Sequence, residues 1–255
     1  MRVQSVDALI LRTYRYGEAD QSVVFQTEDR GKKRGVAKNA TKSRRRFGAG
    51  LAPLTRGRVA YVEREHRELV RLDRIEPRAM PLGDAEGREP GDGAHVLGHA
   101  GYFAELLDEW APDGSPNERL YRLGVAVGEA LRAAESVGAL ARYFEYWLLR
   151  LEGVYPSIDA CPRCGRRTLA DGAVFVMGER AYLCDGCAHG GLRLSAAAVT
   201  FLRDAGRRTP ADVAAGGTSA IALLEIEQVH DRLIAVHLEK ELRSARVVRE
   251  LRPVS

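Results

Sequence analysis

Long apolar runs are missing from this chain. No stretch approaches the ~18 residues that a membrane-spanning helix needs. The first thirty residues carry Arg2, Asp7, Arg12, Arg15 and Glu18 where a signal peptide requires an uninterrupted apolar core. No membrane association is therefore expected, and a cytoplasmic location is. Cysteine is scarce as well. Four cysteines in 255 residues are too few for a disulfide scaffold and, in a reducing compartment, point to a metal or to chemistry. Also absent are G-x-x-x-x-G-K-[ST], G-x-S-x-G and H-E-x-x-H, which removes a phosphate-binding P-loop, a serine nucleophile elbow and a zincin helix. The one glycosylation sequon, Asn39-Ala40-Thr41, has no use in a cytoplasmic chain. Lysine is rare beside arginine, five against 34. A genome-wide bias produces the same ratio, so these residues are read as charge and not as a preference for bidentate contacts.

What is present is the composition of a folded chain, 45% hydrophobic and 29% charged, long enough for one large domain or two small ones. The net charge of +4 hides an asymmetry. Residues 1–80 hold 19 basic and 10 acidic side chains, a net of +9, and residues 81–255 hold 20 and 25, a net of −5. Between Arg30 and Val62 stand eleven basic residues and no acidic one. Such a run repels itself unless an anion neutralises it. Its position between strand-like segments favours a folded anion-binding surface over a solvated arm.

The patterning divides the chain in the same place. Residues 6–14, 22–27, 32–38, 58–63 and 69–75 are short apolar or β-branched runs separated by turn signals, with Asp29-Arg30-Gly31 a turn before the third. Five strand candidates without a long helical period predict a small barrel, of the oligonucleotide-binding or the SH3-like type. Residues 81–93, with four Gly, two Pro and four acidic residues, have linker composition. Beyond them the period becomes helical. Val96, Ala100, Phe103, Leu107 and Trp110 trace one helix; Ser115-Pro116-Asn117-Glu118 reads as a capping box opening a second over Leu120, Leu123, Val127 and Leu131; Leu140, Phe144, Trp147, Leu148 and Leu151 mark a third. A fourth begins over 196–203, residues 206–219 read as a loop, and 221–240 form a long last helix. His95, His99, His230 and His237 recur at helical spacings but lack a carboxylate or cysteine to complete a metal site, so polar or cap-adjacent positions are expected for them.

All four cysteines fall in one segment, Cys161-Pro162-Arg163-Cys164 and Cys184-Asp185-Gly186-Cys187. Two C-x₂-C pairs at this separation supply four thiolates, a closed tetrahedral shell for structural Zn²⁺. The intervening 173–177 and 181–183 predict a hairpin, hence a zinc ribbon at about 158–191 inserted between the third and fourth helices. Metal binding at such a site contributes on the order of 10 kcal/mol to folding. A zinc deaminase is the enzymatic competitor, because His66-Arg67-Glu68 is formally H-x-E. Ala160 stands where that signature has Pro, and Cys184 and Cys187 would be left without a role.

The order of basic β domain, helical domain and inserted Cys₄ ribbon, with specific strings, resembles the bacterial recombination mediator family RecO. The strings are ALILRTYRYGEADQS from Ala8, the 30–48 stretch with its G-K-x-x-G-V-A-K core and S-R-R-R-F-G end, LLRLEGVYPSIDACPRCG from Leu148, and HLEKELRS from His237. They touch both domains and the ribbon. The resemblance implies an α+β multidomain chain: an oligonucleotide-binding (OB-fold) barrel over 1–80, a linker over 81–93, and a mainly α-helical domain over 94–255 carrying the zinc ribbon. It implies a DNA repair and recombination mediator without enzymatic turnover. RecO proteins bind single- and double-stranded DNA, anneal complementary strands, and act with RecR to load the RecA recombinase onto DNA coated by single-stranded-DNA-binding protein, whose acidic C-terminal tail is a further partner. The expected location is the cytoplasm, at the nucleoid. Members without the cysteines imply that zinc supports the fold.

Annealing needs no catalytic side chain, only a surface that neutralises two phosphate backbones. The candidates are Arg34, Lys38, Lys42, Arg44, Arg45 and Arg46; about six phosphate contacts give a slope of log K on log salt near −4 to −5. Stacking platforms require exposed aromatics. Tyr14, Phe25 and Tyr61 are expected in the barrel core, and Tyr16 and Phe47, with charged and loop-like neighbours, on its surface. Two other classes stay open: a zinc-dependent nucleic-acid-modifying enzyme, and a zinc-ribbon transcription or RNA-binding factor.

Overall fold

The computed structural model describes residues 2–63, 68–83, 92–167 and 171–251. All five strand candidates form, each within a few residues of the expected bounds: β1 (Arg2–Tyr16), β2 (Asp20–Thr27), β3 (Gly31–Ala37), β4 (Arg56–Glu63) and β5 (Val70–Ala79). They close into a barrel in the order β1-β2-β3-β5-β4. Every pairing is antiparallel except β3 with β5, where Gly35 faces Val70 and Ala37 faces Leu72. The first strand serves two neighbours. Its residues 2–9 pair with β4 and 8–16 with β2, and a register shift between Ile10 and Arg12 bends it around the barrel. Alternation places Ala8, Ile10, Val23, Phe25, Val59, Tyr61 and Leu72 inside, where the rings of Phe25 and Tyr61 meet at 5.6 Å. Gly31 has φ +68 at the end of the Asp29-Arg30 turn, a conformation that L residues with a Cβ resist.

The chain forms two compact units, residues 1–132 with 242–255, and residues 133–241. Helices α1 (Asp92–Trp110) and α2 (Glu118–Leu131) belong spatially with the barrel, as does α7 (Arg243–Glu250), a helix that the sequence pattern did not predict. The composition break at 81–93 marks where strands give way to helices; α1 already begins at Asp92, and 84–91 lie outside the described residues. The cap of α2 is Asn117, whose side chain accepts from the Leu120 N–H at 3.1 Å; the helix thus starts two residues later than the capping box expected at Ser115 would place it, with Leu120 at N3 unable to return the bond. Buried Glu105 of α1 caps α7 from outside, accepting from the Ser244 N–H at 2.7 Å and from the Ser244 hydroxyl. A cap supplied by a distant residue leaves no local motif to read.

The second unit contains α3 (Val137–Leu151), α4 (Ala196–Ala205), α5 (Pro210–Ala214) and α6 (Ala220–Leu238), with a three-stranded sheet β7-β6-β8 of β6 (Gly172–Val176), β7 (Ala181–Leu183) and β8 (Leu192–Ser195). Helix α5 replaces part of the loop expected over 206–219. It is set by the Thr209–Asp212 capping box and Pro210 in the first turn. The third strand of the sheet was likewise not anticipated.

His230 departs from expectation most. It is fully buried, not cap-adjacent. Its Nδ1 lies 2.9 Å from Glu145 and its Nε2 3.1 Å from the Tyr155 hydroxyl, which itself lies 2.9 Å from that of Tyr182. Arg142 bridges Glu145 at 2.7 Å and Glu227 at 3.1 Å. A neutral imidazole satisfies this arrangement by donating to Glu145 and accepting from Tyr155. Burial is the main influence and holds His230 below its usual value of 6.5, against the upward pull of Glu145. The unfolded chain therefore takes up a proton that the folded one refuses. Stability should fall as pH drops below about 6.5, by at most about 1.4 kcal/mol per pH unit. Urea midpoints measured across that window should show the decline in the wild type and lose it in His230→Gln.

Candidate nucleic-acid interface and cysteine cluster

Residues 38–55 fold back across the barrel as an ordered segment. Asn39 takes a left-handed conformation at φ 55, and its N–H donates to Asp20 Oδ1 at 2.7 Å. A 3-10 turn over Ala40–Lys42 follows, tied to Ala19 O by the Thr41 N–H and hydroxyl, each at 3.2 Å. Arg46 donates to Lys38 O at 2.7 Å and to Ser43 Oγ at 3.0 Å, and its guanidinium sits 5.0 Å from the centre of the Phe47 ring. The Arg46 carbonyl accepts from the Ile75 N–H at 3.0 Å. Lys38, Lys42, Arg44 and Arg45 are left on the exposed side of this frame.

Two of the expected contact residues thus have other work. Phe47 is only 2% exposed and belongs to the barrel core, so it offers no face to a base. Its loop-like neighbours misled because the loop plugs the barrel and needs an apolar anchor. Replacing Phe47 with Ala should cost about 3–5 kcal/mol, readable as a lowered urea midpoint. Arg46 is half-buried and spends its donors on the loop itself.

Arg34 is compromised in a different way. Outward-facing positions of β3 alternate through Lys32, Arg34 and Val36 toward Lys38. At the Lys32 end, acidic residues supplied by α1 and the turn after it compete for the cations. Lys32 Nζ reaches Asp108 at 3.2 Å and Asp113 at 3.4 Å; Arg12 reaches Asp108 at 2.9 Å and Glu109 at 2.7 Å; Arg34 lies 3.9 Å from both Asp108 and Asp113. Other barrel arginines are paired as well, Arg56 with Glu129 at 2.7 Å and Arg78 with Asp7 at 2.9 Å. Among the described residues, no carboxylate lies within ion-pair distance of Lys38, Lys42, Arg44 or Arg45. Within the linear run of eleven cations these four form the exposed group on the loop; Arg58, also without an ion pair among the described residues, stands on β4 and donates to Ser5 Oγ at 3.1 Å.

Lys38, the first of that group, lines a groove of about 530 Å³ on the barrel. Tyr16 and Asp20 from the β1–β2 turn, Val36 and Lys38 from the third strand, and Leu69 and Arg71 from the start of the fifth contribute to its walls. Tyr16 is 53% exposed and Leu69 46%, a ring and an apolar side chain open to solvent beside positive charge. Tyr14, expected inside, is 45% exposed on the same face of β1, because an outward strand position is set by register and not by residue type. Leu69 and Arg71 carried no local signal; they join the site only because β5 lies beside β3.

In the second unit, the four cysteine sulfurs lie within 4.8 Å of one another, with Cys164 and Cys184 at 3.6 Å. Four thiolates at the usual Zn–S length stand about 3.8 Å apart, so the residues present fit the ion. Each pair sits in a tight turn: the Gly165 N–H donates to Cys161 O and the Cys187 N–H to Cys184 O, both at 2.9 Å. Burial opposes ionisation of Cys161, but N–H groups of Cys184, Cys164 and Arg163 outweigh it and bring that thiol down to about 6. Arg163 ties the two turns, donating to Cys187 O at 2.9 Å and to Glu179 at 2.7 Å. Of the H-x-E considered for a deaminase, His66 and Arg67 lie outside the described residues, and Glu68 belongs to the barrel unit. Four thiols converging on one point leave no open position for a reacting water.

The comparisons with known proteins agree in extent. Residues 1–80 match the family model Recombination protein O N terminal, and residues 94–246 match Recombination protein O C terminal. The chain belongs to the RecO family. It is 35% identical over 250 residues to the DNA repair protein RecO of Anaeromyxobacter dehalogenans, with 96% of each chain covered. It is 34% identical to that of Geobacter sulfurreducens, with 97% and 98% covered, and 44% identical to that of Koribacter versatilis over 66% of each. Membership of RecO assigns the chain to DNA repair and recombination. Among the described residues no helix is long and apolar enough to cross a membrane.

Proposed function

We propose that this chain is a non-catalytic mediator that binds single- and double-stranded DNA through an oligonucleotide-binding barrel and anneals complementary strands. The observation that carries this is the free group Lys38, Lys42, Arg44 and Arg45 on a braced loop beside a groove presenting Tyr16. Strand order 1-2-3-5-4 with an exposed groove at the β1–β2 turn and the β4–β5 end suits an OB-fold binding face. Phosphates meet the four cations, and a base stacks on Tyr16, which any base can do. Binding is then blind to sequence, and pairing of the bases drives the reaction once repulsion between backbones is screened. Cys161, Cys164, Cys184 and Cys187 hold a structural zinc in a ribbon. Working at the nucleoid in the cytoplasm, with RecR and the acidic tail of single-stranded-DNA-binding protein as partners, the chain helps to load recombinase on coated DNA.

Mixing complementary strands with the purified protein, without nucleotide, tests this reading. Accelerated annealing is expected, on naked strands and on strands coated by single-stranded-DNA-binding protein. Chemical change to the bases would overturn it in favour of an enzyme. Tyr16→Ala should weaken single-strand affinity by about 1–3 kcal/mol without lowering the thermal midpoint, measured by fluorescence anisotropy alongside circular dichroism.

A further inference from the structure

The second unit carries a cluster of arginines that none of the roles above employs. A cleft of about 400 Å³ is lined by Tyr146, Arg150, Ser157, Arg203, Gly206 and Arg207. A second cleft, of about 590 Å³, shares Arg203 and Arg207 and continues to Arg167. Arg150 is held in place: its guanidinium donates to the Tyr146 hydroxyl at 2.5 Å and lies 5.7 Å from the centres of the Tyr146 and Trp147 rings. Arg203 lies in the last turn of α4 and Arg207 in the turn that follows the helix, and both line the two clefts. Among the described residues, neither has a carboxylate within ion-pair distance. The one acidic side chain in the cleft, Asp159, accepts from Ser157 Oγ at 3.2 Å. Like charges lining one cleft repel, and a third cation facing it adds to the cost unless an anion enters.

The floor suits such an anion. A Cβ added at Gly206 would stand 2.9 Å from the Tyr146 hydroxyl, so glycine keeps the space between Tyr146 and the two arginines open. The nearby apolar side chains are spent inside the fold, Leu202 and Ile158 both being buried. Leu202 and Ile158 therefore offer no apolar recess in this cleft for the hydrophobic end of a peptide. A trough shared by two clefts and edged by successive guanidinium groups fits a chain of phosphates better than a single carboxylate.

We propose that Arg150, Arg203 and Arg207 form a second phosphate-binding site for a nucleic-acid backbone, so that one chain holds two strands on two separate surfaces. This rests on the annealing function proposed above. Full-length wild type, Arg203→Glu/Arg207→Glu and Arg203→Lys/Arg207→Lys are compared using labelled oligo-dT for binding and complementary strands for annealing. In the Lys38, Lys42, Arg44 and Arg45 charge-reversed background, residual oligonucleotide binding should persist and disappear when the two glutamates are added. In the otherwise wild-type chain, the glutamate pair should slow annealing about tenfold, while the lysine pair, with its charge kept, should anneal at the wild-type rate; the residual binding of the charge-reversed background should weaken as salt rises. Circular dichroism checks folding, and Arg203→Gln/Arg207→Gln replaces the glutamate pair if that protein does not fold. Unchanged annealing in the folded variant, or residual binding that survives the two glutamates, would overturn the second site. So would loss of binding to an acidic peptide with oligonucleotide binding intact, which makes the cleft a peptide site. A wild type that binds no oligonucleotide overturns the annealing reading itself, a result separate from either.

Discussion

Reversal of Lys38, Lys42, Arg44 and Arg45 to glutamate is expected to reduce single-strand binding to the weak residue carried by the second unit. Conversion of the same four to alanine should flatten the slope of log K on log salt by about 2.8, equivalent to about fiftyfold of the affinity lost between 50 and 200 mM salt in the wild type. Folding should survive, because these side chains make no ion pair among the described residues and the loop is braced through Asn39, Arg46 and Phe47. Neighbouring cations provide the contrast. Arg34→Glu should alter affinity far less, since Asp108 and Asp113 already share that charge. Arg46→Ala should weaken binding together with a fall in thermal midpoint, because it releases the loop that carries the other four. Equal losses at all six positions would mean that bulk charge, not the braced loop, governs binding.

Loss of the cysteine cluster is the other large effect expected. A bound zinc contributes on the order of 10 kcal/mol, comparable with the whole stability of a domain, about 5–15 kcal/mol. Metal analysis should find one zinc per chain. Its removal by a strong chelator, or Cys161→Ser, should abolish the cooperative unfolding transition of the 133–241 unit and leave that of the barrel unit in place. Oligonucleotide binding through the barrel should persist with its salt dependence largely retained. Purified protein free of metal, yet with both transitions intact, would remove zinc from the account.

The five strands and most of the helices were legible because each is written locally, as alternation or as a 3.6-residue period. The cysteine cluster was legible for a related reason: two short motifs each build half of one site. What escaped was non-local. Glu105 caps α7 across 139 residues of sequence, so neither the cap nor the helix left a motif. His230 shared its helical spacing with His95, His99 and His237, yet it alone is enclosed by Glu145 and Tyr155, whose approach depends on how α3 and α6 meet. Tyr14 and Phe47 exchanged their expected places, one facing outward by strand register and the other drawn in as the plug of the barrel. Leu69 and Arg71 entered the groove through the parallel pairing of β5 with β3.

Residue order alone therefore determined the division into a basic β part and a helical part, the family, and the cysteine cluster, because composition, period and C-x₂-C spacing are properties of the linear chain. Which cations are free was decided only in three dimensions. Charge is counted along a sequence, but it is neutralised across space, and acidic residues from α1 and the turn after it lie against one end of the basic strand while the loop at the other end stays uncovered.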